Sequence, residues 1–430
     1  MRRVLFITYY FPPAGGPGVQ RVMSFARHLP SFGWEPTILT VDGGLYPDRD
    51  EESLRNVPPD LIVRRARTWE PFALYNRMRG HPTTESLPIG HAGQRGGGIM
   101  SRVARLVRAN LFLPDARIGW YPAAVREGVR IAREVGVDAI LTSSPPHSVH
   151  LIGRAVARRT GVPWIADFRD PWTEVFYNRD LPRVNLARSI DKRMEQSCVQ
   201  SASAISTINP MVRDTLGPTA KHAHIIPNGY EEEDFTGDVP VVDGRFQLAY
   251  VGTMSGIHES GPLFRVLGAM VRENAGFGDD LSLVFAGNIH EPARREIAEA
   301  GIEPNTTYAG FIPHADAVRL LRSATCPLFI GPRGLLTSKI FEYLATGRPL
   351  LALAEPGGEV DILMPRAGER PTVDPADETA IRERVEELYT AWKAGTLESR
   401  PPMQGVEGFS RRGRVGQLAV ALDSVVTPTK

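Results

Sequence analysis

Short apolar runs alternate with helical patterns through most of the chain. In the first half the apolar runs predict buried strands at Val4–Thr8, Glu35–Thr40, Ala139–Thr142, Trp164–Asp167 and Ala204–Thr207. Apolar residues three and four positions apart predict helices between them, such as Val19–Leu29, Ala123–Val135 and Ser148–Thr160. Because nearly continuous apolar strands that alternate with helices are typical of parallel sheets covered on both faces, this half predicts a doubly wound α/β domain.

The same alternation starts again in the second half. Between the two halves lie the turn Pro227-Asn228-Gly229 and the acidic run Glu231–Asp234, and this change of composition marks a domain boundary. The second set of strands is predicted at Phe246–Val251, Ser282–Ala286, Thr306–Ala309, Cys326–Ile330 and Pro349–Ala352. The predicted fold class is therefore α/β, with two facing Rossmann-like, doubly wound domains whose ligand sites share one cleft beyond the carboxyl ends of the strands.

The domain bounds that follow are 1–230 and 231–408, with an apolar-periodic helix over 409–430. Residues 80–98 are rich in Gly, His and Pro, which predicts a flexible surface insertion. Residues 99–113 place Arg102, Arg105 and Arg108 beside an apolar stripe, which predicts a basic amphipathic helix. Such a helix either lies on an anionic membrane surface or packs on the core with a solvated Arg face.

Composition narrows the class of protein. The 430 residues are 42% apolar, and 50 basic residues balance 49 acidic ones, which argues against a dedicated nucleic-acid binder. The two cysteines, Cys198 and Cys326, cannot make a disulfide framework or a thiolate metal site, and they fit a reducing cytosol. No run approaches the roughly 20 apolar residues of a membrane span, and the opening Val4–Ile7 is better explained as a buried strand than as a signal peptide. We therefore expect a cytoplasmic protein.

A glycine-rich loop separates the first strand from the first helix. Gly16 and Gly18 allow a ligand to approach the backbone, and the amino end of the helix that carries Arg21 favours an anion. The loop lacks the Gly-Lys-Ser/Thr of a P-loop, and Arg21 stands where a dinucleotide fingerprint needs its third glycine. An ordinary tight turn is the alternative explanation.

This loop also begins a series of motifs that resembles the family 4 glycosyltransferases. The motifs follow in the family's order over nearly the whole chain: Tyr10-Phe11-Pro12-Pro13 with Gly15-Gly16 and Arg21, Ser143-Ser144-Pro145-Pro146-His147, Asp167-Phe168-Arg169-Asp170, Ile226-Pro227-Asn228-Gly229-Tyr230 and Ser338-Lys339-Ile340-Phe341-Glu342. The resemblance implies two facing Rossmann-like domains (the GT-B fold), a nucleotide-sugar donor, no required metal and retention of anomeric configuration. It also implies that the terminal helix returns to the first domain and takes part in hinge closure.

The chemistry of sugar transfer gives Lys339 a role. Breaking the bond between the anomeric carbon and a diphosphate places negative charge on the leaving phosphate, which cations and backbone N–H groups must stabilise. Ser338 and Lys339 stand just before a predicted helix, so an ammonium and backbone amides would converge on the diphosphate. One charge about 4 Å away is worth roughly 4 kcal/mol at an effective dielectric constant near 20. A solvated surface lysine is the alternative.

Glu342 lies one turn after Lys339 on the same predicted helix face, where its carboxylate would accept both ribose hydroxyls. It matches the second glutamate of the family's Glu-x7-Glu motif, whereas the first position is Gly334. The family also usually has an Arg after the glycine of the loop that begins at Gly252, and here Thr253 takes that place. These departures make donor recognition incomplete unless Lys339, Arg333 or Arg21 supplies the charge. A capping or salt-bridging role is the alternative for Glu342.

In the first domain, Asp167-Phe168-Arg169-Asp170 ends an apolar strand, where residues that line a cleft are expected. Asp170 would orient an acceptor hydroxyl, Arg169 would hold a phosphate, and His147 would contact the transferred sugar. A buried Arg–Asp pair and a satisfied structural histidine are the alternatives. The Asp-x-Asp at Asp48 and Asp50 is attributed to solvated loop charge, and no metal ligand is predicted.

Together these features predict a metal-independent glycosyltransferase, of hexosyl or related type, that moves a sugar from a nucleotide-sugar donor to a hydroxyl acceptor on a cell-surface glycan or lipid-linked molecule. A catalytically degenerate sugar-nucleotide-binding or partner-binding protein and a sugar-nucleotide epimerase of the same architecture are the alternatives. The predicted catalytic residues are Lys339, Asp170 and His147. The predicted donor-binding residues are Gly16, Gly18, Arg21, Gly252, Thr253, Arg333, Ser338, Lys339 and Glu342.

Overall fold

The chain folds into two units, one made of Met1–Pro227 with Arg414–Lys430 and the other of Asn228–Gly413. The structure, a computed structural model, describes residues 1–46, 49–69, 106–175, 181–242, 244–332, 336–337 and 339–426. The chain enters the second unit after Pro227 and leaves it after Gly413. The second unit is therefore a few residues longer at each end than the predicted range 231–408. The reason is local pairing within the second unit, where Tyr230 exchanges backbone hydrogen bonds with Phe409 at 3.3 Å and Arg411 at 2.8 Å.

The first unit contains a parallel sheet with the strand order β3-β2-β1-β4-β5-β6-β7. Its strands are β1 (Arg2–Ile7), β2 (Trp34–Asp42), β3 (Ile62–Arg67), β4 (Ala139–Ser144), β5 (Trp164–Phe168), β6 (Ala204–Thr207) and β7 (His224–Ile225). Its helices are α1 (Pro17–His28), α2 (Tyr121–Ile131), α3 (Ser148–Thr160), α4 (Asn185–Ser201) and α5 (Pro210–Thr215), and α13 (Arg411–Val425) joins them from residue 414 onward.

The second unit contains a smaller parallel sheet with the order β10-β9-β8-β11-β12. Its strands are β8 (Phe246–Val251), β9 (Leu281–Ala286), β10 (Thr306–Gly310), β11 (Cys326–Ile330) and β12 (Leu351–Leu353). Its helices are α6 (Gly261–Glu273), α7 (Ala275–Asp280), α8 (Glu291–Ala300), α9 (His314–Ser323), α10 (Lys339–Ala345), α11 (Glu359–Arg366) and α12 (Glu378–Lys393). The predicted α/β class, with two doubly wound sheets, is confirmed.

The strand order of each sheet reverses at one point. In the first unit successive strands run outward from β1 in one direction and from β4 in the other, and in the second unit the same reversal falls between β8 and β11. The helices that follow the two central strands diverge there, which leaves a crevice at the carboxyl ends where ligands of such sheets bind. The fold therefore directs attention to the residues that follow β1, β4, β8 and β11.

All ten predicted strands are present, three of them (β6, β8 and β11) with the predicted bounds and seven with shifted ends, whereas β3 and β7 were missed. β3 is an edge strand with the sequence Ile-Val-Arg-Arg-Ala-Arg, and most of its side chains are exposed, so it carries no apolar run to detect. β7 is two residues long and pairs only with β6 at the other edge. Edge strands with charged or few residues give little hydrophobic signal.

The predicted insertion 80–98 and the first part of the predicted helix 99–113 lie outside the described residues. Residues 106–111 are helical, and Leu106, Val107 and Leu111 on that segment are exposed. Arg108 differs from the expectation of a solvated Arg face because it is half-buried, and burial and the nearby Arg117 charge lower its pKa. Among the described residues, no helix has both the length and the apolar composition needed to cross a bilayer.

Helix α13 supplies part of the core of the first unit. Its residues Val415, Leu418, Ala421 and Leu422 are buried in the same apolar cluster as β1 and β2. A hydrogen bond from the indole of Trp34 to Asp423 at 3.0 Å holds the helix against β2. The last helix of the chain therefore stabilises the unit that contains the first strand.

We expect Leu422→Ala to lower the free energy of unfolding of the first unit by about 2–5 kcal/mol, because the substitution leaves a cavity in a closed core. Val420→Ala, at a position on the same helix that is 65% exposed, is the matched control and should change it by less than about 0.5 kcal/mol. Urea unfolding followed by tryptophan fluorescence measures the first unit, which holds Trp34, Trp69, Trp120, Trp164 and Trp172, while the second holds only Trp392. Equal unfolding midpoints for the two variants would contradict this packing.

Candidate functional site

A lysine lies against a glycine at the carboxyl end of β8 in the second unit. Gly252 has φ 152°, a conformation that side-chain-bearing residues rarely adopt, and a Cβ at this position would overlap Lys339 Nζ. The ammonium donates a hydrogen bond to the carbonyl oxygen of Val251 at 3.3 Å. Burial lowers the pKa of Lys339, and the nearby Glu342 charge opposes that fall. The absence of a side chain at Gly252 thus lets a half-buried cation reach the end of the first strand.

Helix α10 sets the positions of three functional groups. Lys339 is its first residue, Glu342 follows three residues later, and Tyr343 follows four residues later on the same face. The Tyr343 hydroxyl accepts a hydrogen bond from the amide of Val251 at 2.7 Å and donates one to its carbonyl oxygen at 3.2 Å. Tyr343 therefore fixes the end of β8 on which Lys339 rests, and it is a residue that motif analysis did not single out.

The Glu342 carboxylate is half-buried, and no described residue makes a hydrogen bond to it. Its charge acts on Lys339 on its own helix and on His314 at the start of α9. The His314 ring makes a hydrogen bond to Asp234 at 3.0 Å, and this bond raises the pKa of His314. Burial opposes the rise, and the Glu342 charge adds to it. The carboxylate oxygens of Glu342 thus keep their capacity to accept hydrogen bonds from a ligand.

The loop after Gly252 brings a second unpredicted residue to this site. Thr253, predicted to bind the donor, is exposed, and its carbonyl oxygen accepts a hydrogen bond from the Tyr250 hydroxyl at 3.3 Å. His258 is half-buried, and its Nδ1 accepts from the amide of Ser255 at 3.1 Å. Burial lowers the pKa of His258, a backbone hydrogen bond with Ser255 opposes the fall, and the nearby His290 and Lys339 add to it. His258 was not predicted to lie beside Lys339, because a single histidine in a loop carries no sequence signal for such a position.

In the first unit, Arg21 forms a buried ion pair with Asp167. Arg21 Nη2 donates to Asp167 Oδ1 at 2.8 Å and Nε donates to Oδ2 at 3.1 Å. Ser143 and Ser206, on the strands that flank β5, also donate to this carboxylate, at 2.7 and 2.8 Å. Burial by itself raises the pKa of Asp167, but the Arg21 charge and these hydrogen bonds bring it below its usual value. The pair joins α1 to three central strands.

Arg169 occupies the place that a side chain would take at Gly18. A Cβ at Gly18 would overlap the guanidinium, which donates to the carbonyl oxygens of Ser144 at 2.8 Å and Pro145 at 3.0 Å. Gly16 precedes α1 with φ 96°, and no side chain caps the helix. The first turn of α1 and a guanidinium from the end of β5 therefore meet at the reversal point of this sheet.

His147 is a buried histidine with a fixed orientation. It is 5% exposed and stacks on Trp172 with ring centroids 5.1 Å apart and planes 12° apart. Trp172 is held in turn by a hydrogen bond from its indole to Asp191 at 2.8 Å, and Asp191 also pairs with Arg183. Burial, followed by the Arg169 charge, lowers the pKa of His147 to about 3, so the ring is neutral near pH 7.

The turn from β4 into α3 contains buried polar atoms to which no described residue makes a hydrogen bond. Buried donors and acceptors are almost always paired, so such a group needs a partner from an ordered water or a ligand. Among the described residues, the atoms without a partner are Ser144 Oγ, His150 Nε2 and one nitrogen of His147, whose ring also interacts with the Pro171 backbone. We call this set the β4–α3 polar cluster.

Asp170 follows Arg169 at the end of β5. Its carboxylate is half-buried, and no described residue makes a hydrogen bond to it. Burial raises its pKa, and the Arg169 charge opposes the rise. Asp170 and the β4–α3 polar cluster both follow central strands of the same sheet, so they lie at one edge of the first unit.

The structure does not describe every predicted site residue. Arg333, Gly334 and Ser338 lie outside the described residues, as does Asp48. Asp50 caps the turn Glu51–Asn56 by accepting a hydrogen bond from the amide of Ser53 at 3.2 Å. Within the ranges that the structure describes, no three His, Cys, Asp or Glu side chains are grouped closely enough to hold a metal ion.

Comparison with solved structures identifies the fold. The Anabaena HepE protein, solved with UDP and glucose, is 12% identical, with a TM-score of 0.60 over 99% of this chain and 100% of its own. The sucrose-phosphate synthase of Thermosynechococcus elongatus is 16% identical, with a TM-score of 0.60 over 99% of each chain. The α,α-trehalose 6-phosphate synthase of Burkholderia multivorans is 12% identical, with a TM-score of 0.58 over 99% of each chain. These similarities show a GT-B fold.

The sequence family is more specific than the fold. The profile of the glycosyl transferase 4-like domain matches residues 15–229, half of the 430 residues. The chain belongs to this family, as the motifs of the first unit predicted. No curated protein sequence matches the chain at a significant level.

The buried neutral His147 predicts how the first unit responds to acid. The unfolded chain takes up a proton near the ordinary pKa of 6.5, whereas the folded ring does so only near 3, so stability decreases as the pH falls from 6.5 toward 3. Each such group contributes at most about 1.4 kcal/mol per pH unit. We expect His147→Phe, which cannot titrate, to reduce this slope by up to that amount in urea unfolding measured between pH 7 and pH 4.5.

The matched control is His222→Phe, at an exposed position of the same unit, which should leave the slope unchanged. Parallel pH profiles for the wild type and His147→Phe would show that the His147 ring is protonated in the folded protein.

Proposed function

We propose that this protein is a glycosyltransferase that moves a sugar from a nucleotide-sugar donor to a hydroxyl group, with retention of anomeric configuration. The observation that carries the proposal is the meeting of Gly252, Lys339 and Glu342 at the carboxyl end of β8. The Lys339 ammonium there suits the diphosphate of a nucleotide. The Glu342 carboxylate, one helical turn away and without a hydrogen bond from a described residue, suits its ribose. Family membership supplies the reaction class.

Lys339 would stabilise the charge that grows on the departing diphosphate. Its half-buried position lowers the local dielectric constant, which strengthens its attraction for a phosphate oxygen. Burial lowers the pKa of this lysine, and a bound diphosphate would favour its charged form again. In this proposal no metal ion is needed, and Ser338 and Arg333 remain predicted contributors.

Glu342 would accept hydrogen bonds from the ribose hydroxyls of the donor. Its carboxylate has no such bond from a described residue, so binding would not break an existing interaction. A charged hydrogen bond of this kind contributes roughly 1.5–3 kcal/mol. HepE, a protein of the same fold, was solved with UDP-glucose, which supports a uridine or related diphosphate donor here.

The first unit would bind the acceptor and the sugar. Asp170 would orient the acceptor hydroxyl, and a nitrogen of the neutral His147 ring would bond to a sugar hydroxyl. Arg21 would act through Asp167 as a positioning residue, because both of its hydrogen bonds to Asp167 are buried. Gly16 and Gly18 would let the ligand approach the backbone beside Arg169.

We expect Lys339→Ala to reduce kcat/KM roughly 10- to 100-fold, since one charged contact to the leaving group is lost. The assay measures release of the nucleoside diphosphate from a panel of nucleotide sugars, with and without sugar acceptors. Lys393→Ala is the matched control, because Lys393 is an exposed lysine of the same unit that pairs with Asp280. Equal effects of the two substitutions would contradict the role of Lys339.

The same donor panel separates the alternatives. Calorimetric binding of a donor without turnover would indicate the degenerate binding protein that Thr253 and Gly334 suggest. Conversion of one nucleotide sugar into another, without an acceptor and without net release of diphosphate, would indicate an epimerase. Either result would replace the proposed transfer reaction.

The acceptor is proposed to be a cell-surface glycan or its lipid-linked precursor, with the protein bound to the surface of an anionic membrane. An exposed apolar face supports this. Asn110 accepts a hydrogen bond from the amide of Val184 at 2.7 Å and donates one to the carbonyl oxygen of Pro182 at 2.9 Å, which joins segment 106–111 to the start of α4. Leu111 and Leu186 on these two segments are 73% and 71% exposed, and Arg188 and Arg193 are exposed on α4.

We expect the double substitution Leu111→Glu with Leu186→Glu to abolish co-sedimentation with vesicles that contain anionic lipid, because both apolar contact and charge attraction are lost. Val241→Glu with Ile257→Glu, which places the same charges on exposed apolar positions of the second unit, is the matched control. Unchanged sedimentation of the first variant would rule out this face as the membrane contact.

A further inference from the structure

A cavity of about 320 Å³ lies in the second unit, away from Lys339 and Glu342. Among its lining residues, Arg322 comes four residues before β11 and Arg348 three residues before β12. In a parallel sheet these positions share the amino edge, whereas Gly252 follows the carboxyl end of β8. The cavity is therefore separated from the proposed donor site by the length of the strands.

Three arginine side chains line the cavity, and the nearby carboxylates neutralise only part of their positive charge. Arg400 pairs with Glu369 at 2.6 Å, but Arg322 and Arg348 form no ion pair with any described residue. Asp238 is the carboxylate whose charge acts on both of them. Two guanidinium groups beside one carboxylate leave a net positive charge in a partly buried space, which attracts an anion.

The two guanidinium groups are held in place and still have donors to spare. Arg322 donates to the carbonyl oxygens of Asp234, Thr236 and Gly237. Arg348 donates to the carbonyl oxygens of Arg322 at 2.8 Å and Val239 at 3.2 Å, and to Ser399 Oγ at 3.2 Å. Because each guanidinium has five N–H donors, two on each are not used by the described residues. Each guanidinium group is therefore held in place by carbonyl oxygens and still has N–H donors that a ligand could use.

We propose that Arg322 and Arg348 form a binding site for a phosphate dianion, carried either by a sugar phosphate or by free inorganic phosphate. Arg is the side chain best suited to phosphate, because its planar fork donates two parallel hydrogen bonds. The volume is at the lower end of the range for ligand pockets and suits a molecule of the size of a hexose phosphate. Burial and the charge of the neighbouring Arg322 lower the pKa of Arg348, which an anion would reverse.

This site also has a structural connection to the proposed donor site. Helix α10 carries Lys339 and Glu342 at one end, and Thr346, which follows its other end, lines the cavity. The Thr346 hydroxyl donates to the carbonyl oxygen of Tyr343 at 2.6 Å and accepts from the amide of Arg348 at 3.1 Å. The two sites are therefore at opposite ends of one short helix, and the proposed anion site stands whether or not the protein is a transferase.

Calorimetric titration of the full chain at constant ionic strength tests the proposal, with inorganic phosphate, glucose 6-phosphate and glucose as probes. Saturable binding of a phosphate-bearing probe, and none of glucose, is expected. Arg348→Gln should weaken that binding roughly tenfold or more, since a charged donor is lost. Tighter binding of glucose 6-phosphate would identify a sugar phosphate as the ligand, and equal or tighter binding of inorganic phosphate would identify the free ion. Absence of saturable binding of both would overturn the proposal.

Matched variants make the result specific. Arg319→Gln removes the same charge from an exposed position on the same helix as Arg322, and it should leave the affinity unchanged. Asp238→Asn, at a position with no hydrogen bond to a described residue, should strengthen binding several-fold even if Arg348→Gln fails to fold. Lys339→Ala should retain binding. Loss of affinity in Lys339→Ala, or unchanged affinity in Asp238→Asn, would show that phosphate binds elsewhere.

Discussion

Each unit places a cation against a glycine that follows its first strand. Arg169 occupies the space that a side chain at Gly18 would fill, and Lys339 does the same at Gly252. In both cases the cation comes from a segment beyond the reversal point of the sheet, so the strand order itself brings it there. A Cβ at either glycine would push the charge away. The rest of each site is organised around this contact.

The cations differ in what surrounds them. Near Arg169, the charge of Asp167 is already satisfied by Arg21, Ser143 and Ser206. Breaking such a buried pair by removing one partner typically costs about 3–5 kcal/mol, so this network is best understood as the structural support of the first unit. Among the described residues, Lys339 is held by one carbonyl oxygen and a nearby carboxylate. The proposed ligand role of Lys339 is consistent with these few contacts.

Pattern and motif predicted the sheets and the identity of the principal side chains, because both depend on local sequence. The apolar runs located ten strands, and the spacing of Lys339 and Glu342 placed them on one helix. Tyr343, His258 and the pairing of Arg21 with Asp167 were not predictable in the same way. Their roles depend on contacts between residues far apart in the chain, such as Tyr343 with Val251. The exposed, Arg-rich β3 was missed because edge strands carry little apolar signal.

The departure from the family pattern at Thr253 increases the importance of the Lys339 charge. Where the family usually has an arginine after the glycine of β8, this chain has the exposed Thr253, which brings no charge to the site. The half-buried Lys339 lies over that same glycine, and His258 beside it has a lowered pKa and adds no positive charge at neutral pH. In the proposed reaction, and among the described residues that surround Gly252, the charge that a departing diphosphate would need comes from one ammonium. The burial of this ammonium would then matter, because a lower local dielectric constant increases the stabilisation that one charge can provide.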